Sequence, residues 1–214
     1  MPFIRPATID DLDKISEYAF QAQIGLTSLP KNESLLKVRL EKAVESYKKS
    51  VAYPNDELYF FVLEDSDTRQ VMGVSGIKAN TGSDHPIATY RIEEDRSFFW
   101  LVPEIFQKGY TEIASLFLYR DYRKKGAGRL LSYSRFLFMA DFPERFHNKI
   151  MANMRGVIDR TGRCVFWEEV SGMLIPFTFQ QLMYKLDHQE IEYEKNQWGG
   201  DLLSMGRSSY TARV

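Results

Sequence analysis

The chain has 214 residues, 44% hydrophobic and 14% aromatic, enough to bury one good core or one core with an appendage. A formal net charge of −1 argues against a dedicated nucleic-acid binder, and a single cysteine, Cys164, excludes an internal disulfide framework and fits a reducing compartment. No apolar run is long enough to span a bilayer, and Met1-Pro-Phe-Ile-Arg5 lacks the pattern of a secretory signal, so a soluble cytoplasmic protein is expected.

Phe3-Ile-Arg5 reads as a first strand. Thr8-x-x-Asp11 has the spacing of a capping box ahead of an amphipathic helix with Leu12, Ile15 and Tyr18 on one side. Gly25-Leu-Thr-Ser-Leu-Pro30 interrupts that pattern, and a second helix is expected from about Glu33 to Lys49, with Leu36, Leu40, Ala43, Val44 and Tyr47 at helical spacing. Leu58 to Leu63 and Val71 to Ala79 read as the strands of a hairpin turned at Glu64-Asp-Ser-Asp-Thr68. Asn80 to Pro86 is a loop, and Phe98 to Val102 a short strand or buried turn. Beyond the segment from Glu112 come a helix over Arg129 to Ala140, a strand over Lys149 to Ile158, a turn at Asp159-Arg-Thr-Gly162 and a helix beginning at Phe166. After Asp187 the chain turns polar and loses periodicity, which divides it into a domain over 1–187 and a divergent tail over 188–214.

The most informative segment is Glu112 to Leu131, a strand running into a glycine turn that opens a helix. In Arg123-x-x-Gly126-x-Gly128, two residues without Cβ stand where backbone must approach something closely, and the helix behind offers unpaired N–H groups to an anion. A Walker-type loop would need Gly-Lys-Ser/Thr, and Gly128 is followed by Arg129-Leu130. A dinucleotide fingerprint would need a third glycine nearby. Two readings stay open on these residues: an acyl-CoA pyrophosphate loop, and an ordinary strand-to-helix turn with a solvated basic face.

The motif resembles the Q/R-x-x-G-x-G/A loop of the GNAT acyltransferase superfamily. The element order, and the opening Ile4-Arg-Pro-Ala-Thr8 with Asp10-Asp11-Leu12, are similar to that superfamily too. The resemblance implies an α/β (α+β) fold, a mixed splayed sheet flanked by helices that admits the pantetheine arm of an acyl-CoA. Several blocks resemble bacterial arginine N-succinyltransferase more closely. They are Gly25 to Pro30 with Asn32-Glu33, Phe61 to Ser66, Tyr90-Arg91, Leu116-Phe-Leu118 with Tyr122-Arg123-Lys124, Leu130-Leu131 with Ser134-Arg-Phe136, Phe138-Met-Ala140, Met154 to Asp159, and Phe166-Trp167. By that resemblance the reaction is succinyl-CoA plus L-arginine giving N2-succinyl-arginine and CoA. Members of the family are considerably longer, with a second acyltransferase-like half carrying the presumed proton-donating histidine. His188 lies nearest in order, but its surroundings do not match. The stretch 92–110 is also shorter here. A fragment, one subunit of a two-chain enzyme or homo-oligomer, and a degenerate binding subunit all fit this departure.

Amide formation needs a neutral amine, a polarised thioester and a protonated leaving thiolate. Glu112 is the candidate base: it stands eleven residues before Arg123, the offset at which the histone-acetyltransferase branch of the superfamily places its glutamate. The alternative is a strand-end carboxylate in solvent or paired with Arg120. Strand alternation puts Glu112, Ala114 and Leu116 on one face unless a bulge intervenes. Backbone around Leu116, Phe117 and Leu118 would meet the oxyanion, and the resemblance implies that Leu116 contacts the succinyl-CoA. Arg123, Lys124, Lys125, Gly126, Ala127, Gly128 and Arg129 would hold the pyrophosphate. Where many members place a thiolate-protonating tyrosine, this chain has Phe166-Trp167, and indole is not a useful acid. Thr27 and Ser28 are candidates for the α-carboxylate of arginine, or else cap the following helix, while Glu33 or Glu94 would meet guanidinium. Phe136, Phe138 and Phe142 read as core. His85 and His147 lack ligand spacing, so no metal is expected.

Overall fold

The structure is a computed structural model that describes residues 1–22, 26, 28–81, 87–95, 98–106, 109–123, 126–153, 157–164, 178 and 180–181; within 87–106 only the side chains of Arg91 and Glu93 are described. Five strands form the central sheet in the order β1 (Pro2–Pro6), β2 (Leu58–Asp65), β3 (Val71–Lys78), β6 (Thr111–Leu118), β7 (Ile150–Met151). All neighbours are antiparallel except β6 and β7, which run parallel. β4 (Ile87–Asp95) and β5 (Phe98–Phe106) form a separate hairpin. The helices are α1 (Leu12–Gln21), α2 (Glu33–Lys48) and α3 (Ala127–Asp141). The mixed sheet flanked by helices is the acyltransferase fold class expected from the sequence.

Period-two patterning on β2 divides the core between the two faces of the sheet. Phe60 and Val62 pack with Ile15, Tyr18, Leu36 and Leu40 of α1 and α2. Tyr59 and Phe61 meet Phe138 and Met139 of α3, and Leu63 meets Leu131. β3 is almost wholly buried, as a strand covered on both faces must be. Gly73 is dictated by crowding: a Cβ there would stand 2.6 Å from the Phe117 carbonyl oxygen.

Several boundaries differ from the sequence expectations. β4 was not anticipated, and β5 is a full nine-residue strand rather than a short one. Of the strand expected over Lys149 to Ile158, Ile150–Met151 pairs with β6, and Ile158 makes an isolated bridge to Cys164. β2 runs on to Asp65, because Glu64 is buried by ion pairs rather than left in the turn. Phe138 is core, but Phe136 on α3 and Phe142 just past its end are exposed, as are Leu130, Tyr133 and Leu137 of α3. The helix expected at Phe166 and the tail over 188–214 lie outside the described residues. No helix among the described residues is long and apolar enough to cross a membrane.

An ion cluster fixes the N-terminal corner. Thr8 and Asp11 form the expected capping box, and the Asp11 carboxylate also takes both Nη atoms of Arg5 at 2.7 Å each. Arg5 Nε donates to the buried Glu64 at 2.6 Å, and Arg69 approaches the other Glu64 oxygen at 2.8 Å. Burial by itself would raise the Asp11 carboxyl, but the Arg5 guanidinium and the Thr8 amide outweigh it and hold the group below the ordinary aspartate value. A folded-state pKa depressed in this way stabilises fully above the unfolded value, and the contribution is lost as pH falls through the folded one. Asp11→Asn should therefore cost about 3 kcal/mol in chemical denaturation at neutral pH, since it leaves Arg5 short of a counter-charge. The difference from wild type should shrink below about pH 4; a pH-independent difference would assign the loss to packing.

Candidate functional site

β6 carries the feature around which the site is built. Ala114 pairs with Gly76 and Phe117 with Val74, so the single residue Ser75 faces both Ser115 and Leu116. This is a bulge, and Ser115 takes φ 53°, a left-handed conformation that costs a non-glycine residue of order 1 kcal/mol. Two hydrogen bonds hold it there: the Ser115 amide donates to Ser28 Oγ at 3.0 Å, and Ser115 Oγ donates to the Ser28 carbonyl at 3.0 Å. Opposite the bulge, the buried Ser75 hydroxyl donates to the Leu131 carbonyl of α3 at 3.3 Å.

The bulge changes which side chains share a face. Glu112 and Ala114 pair with Lys78 and Gly76, on the α1 side of the sheet, where the extra residue brings Phe117 in place of Leu116. Leu116 is 44% exposed instead, and both residues line a cleft of about 710 Å³. Gln21, Ala22 and Leu26 form its wall at the end of α1, and Leu116, Phe117, Tyr119, Arg120 and Arg123 form the wall on the β6 side. Beside the cleft the Tyr18 ring packs on Phe117 and Tyr119. The Tyr18 hydroxyl donates to the Val71 carbonyl, and burial pushes its pKa above the ordinary tyrosine range, so it remains neutral.

Tyr119, Arg120 and Arg123, at the end of β6 that leads into the glycine turn, line the cleft. Tyr119 to Arg123 folds as a tight turn, with Arg123 Nε donating to the Leu118 carbonyl at 3.0 Å. Gly126 stands at φ 80° and caps α3, so the Ala127, Gly128 and Arg129 amides precede the first intrahelical bond, Leu130 N to the Gly126 carbonyl. Gly126 and Arg129 are exposed, and Leu118 packs under Gly128 and against Leu131. Lys124, Lys125 and Thr27 lie outside the described residues.

Glu112 is half-buried near the N-terminal end of β6 and accepts from Asn153 Nδ2 at 2.8 Å, rather than pairing with Arg120. Arg120 meets Asp121 instead. Glu33 is exposed at the start of α2, whose cap is Asn32. Ser28 grips the bulge through its hydroxyl and its carbonyl. Among the described residues no group of three or more His, Cys, Asp and Glu is placed to hold a metal ion. The Ser28–Ser115 clasp escaped the sequence, because nothing local pairs residues 87 apart. Arg135 had a legible signal: it interrupts the i, i+4 apolar stripe Leu131, Arg135, Met139, and it is buried.

A model of the family described as arginine N-succinyltransferase beta subunit matches residues 2–195. The chain belongs to the arginine N-succinyltransferase family. It is 37% identical over 194 residues to the arginine N-succinyltransferase of Enterobacter sp. strain 638, covering 86% of this chain and 56% of that protein. Against the Escherichia coli O6:K15:H31 protein it is 36% identical over 191 residues, covering 85% and 55%. The solved structure of arginine/ornithine succinyltransferase subunit AI from Pseudomonas aeruginosa superposes with a TM-score of 0.74 at 28% identity, covering 88% of this chain and 59% of that one. The chain thus spans a little over half the length of these family members.

Ser28→Ala should remove the acceptor of the Ser115 amide and cost about 1–3 kcal/mol. Amide exchange over 114–117 should accelerate while that of β2 stays slow, and Ser28→Thr should restore protection. Unchanged exchange at the bulge in the alanine variant would show that the clasp does not hold it.

Proposed function

We propose that this chain forms the acyl-CoA-binding half of an arginine N-succinyltransferase of arginine catabolism, moving the succinyl group of succinyl-CoA to the α-amine of L-arginine. The reading rests on the bulged β6 opening onto a cleft of about 710 Å³, a size suited to a small-molecule ligand. The pantetheine arm lies along Leu116, Phe117 and Leu118, and the pyrophosphate sits on the amides of Lys125, Gly126, Ala127, Gly128 and Arg129, with Arg123 and Lys124 adding charge. A bulge leaves one amide without a ladder partner; with the Ser115 amide engaged by Ser28, the Leu116 amide polarises the thioester carbonyl.

Glu112 takes a proton from the arginine ammonium, and Asn153 fixes the carboxylate through its side-chain amide. The freed amine attacks the thioester carbon, the attacking nitrogen releases its extra proton to solvent, the C–S bond breaks, and a solvent proton completes the CoA thiol. Thr27 and Ser28 bind the α-carboxylate of arginine. Residues 1–187 form the acyltransferase domain and 188–214 a divergent extension, in a cytoplasmic protein. Thiol release from succinyl-CoA, measured on the purified chain with and without arginine, tests this reading. Release that depends on arginine is expected, and release indifferent to arginine would refute it. Glu112→Gln should lower the rate about 100-fold or more and steepen its rise with pH, because only amine already deprotonated in solution can then attack; a wild-type pH profile in that variant would remove Glu112 from the mechanism.

A second reading, a binding subunit completed by another chain, is favoured by the exposed Leu130, Tyr133, Phe136 and Leu137 on one helix. A second subunit or second copy covers this face. Sedimentation should then give a dimer that Leu137→Glu dissociates, whereas a monomeric wild type would dismiss self-association.

A further inference from the structure

Arg135 is a buried charge that the acyl-transfer chemistry leaves unused. It faces the sheet from α3 between Leu131 and Met139, with 3% of its surface exposed. Its guanidinium donates from Nε to the Ser132 carbonyl at 3.2 Å, from Nη2 to the Ser132 hydroxyl at 2.9 Å, and from Nη1 to the Ala114 carbonyl at 3.4 Å. These partners are all neutral, and they use fewer N–H groups than a guanidinium carries. Among the described residues no carboxylate pairs with it, whereas Arg5 has Asp11 and Glu64. Burial alone shifts Arg135, lowering its pKa. A buried cation without a counter-ion is costly unless something anionic arrives to meet it.

Its position says where that anion would come from. Nη1 touches the carbonyl of Ala114, the residue before the bulge. Among the described residues, the pairing of β6 with β7 ends at Glu112 with Met151, so β6 at Ala114 has no described neighbour on that side. A strand advances about 3.3 Å per residue. An acyl chain whose thioester carbonyl meets the bulge amide would extend past Ala114 toward the guanidinium through a pair of methylenes to a terminal carboxylate. A planar fork of N–H donors suits that carboxylate and finds nothing to bind in an acetyl group.

We propose that Arg135 is the subsite for the free carboxylate of a dicarboxylic acyl group, and that it selects a succinyl donor over neutral acyl-CoAs. The proposal rests on the acyl-CoA reading of the cleft. Calorimetry with free CoA, succinyl-CoA and the neutral four-carbon butyryl-CoA separates the two. Wild type should bind succinyl-CoA about 30-fold or more tighter than butyryl-CoA, and Arg135→Met should erase that preference while binding free CoA as wild type does. Arg135→Lys, which keeps a point charge, should retain part of it. Equal affinity of wild type for the two thioesters, with CoA bound, would overturn the role of Arg135 and leave the cleft reading intact, and this measurement needs no variant to fold. A preference surviving in Arg135→Met would overturn it as well. Failure of wild type to bind CoA at all would overturn the cleft reading and this proposal with it.

Discussion

Ser115 holds a left-handed backbone because Ser28 takes its amide and receives its hydroxyl, and the rest of the site follows from that clasp. The bulge shifts the alternation of β6 by one residue, so Phe117 joins the α1 side of the sheet and Leu116 turns into the cleft. It also ties the loop between α1 and α2 to the middle of the sheet. Strain of this kind persists only where surroundings over-determine it. Here the crowding at Gly73, where no Cβ fits beside the Phe117 carbonyl, removes the space into which the strand would relax.

The glycine turn depends on the same strand for its placement. Tyr119 N bonds to the Met72 carbonyl and Arg123 Nε to the Leu118 carbonyl, so the turn leaves β6 in a fixed direction. Gly126 then reverses the backbone at φ 80° and starts α3, which packs back through Leu131 beneath Leu118 and Met72. In the proposed function, an anion at the start of α3 and a thioester at the bulge would both be held by one continuous piece of chain. Small errors of alignment are costly to acyl transfer, and a short connection limits them.

Much of this was legible in the sequence, for reasons that differ by element. The i, i+4 spacing in α2 and the alternation in β2 and β3 each report burial directly, and those elements stand close to where the pattern puts them. Gly126 could be read because φ > 0 restricts residue type, whereas a Cβ at Gly128 would meet only an ordinary contact with Leu118. β4 and the clasp were not legible. Strand pairing between 87–95 and 98–106 depends on a partner strand rather than on local pattern, and Ser28 and Ser115 meet only through the tertiary fold. The face of Leu116 stayed conditional on a bulge, because a bulge shifts parity without a sequence mark: serine is an unremarkable strand residue, and its positive φ is imposed by its partner.

Under the proposed function, the two faces of β6 divide the labour of a two-substrate reaction. Glu112 and Ala114 look toward the side of the sheet covered by α1, where the loop carrying Ser28 approaches the strand. Ile113 and Leu118 look toward α3, the helix that bears both the glycine turn and Arg135. In the proposed reaction, a base on one face and an anion-binding helix on the other would let the amine and the acyl carrier approach the same peptide from opposite sides. That geometry would suit attack on a carbonyl, because the amine would reach one face of the planar thioester without crossing the carrier. It also keeps the two carboxylates of the proposed substrates apart, so each is read by its own partner and neither repels the other at close range.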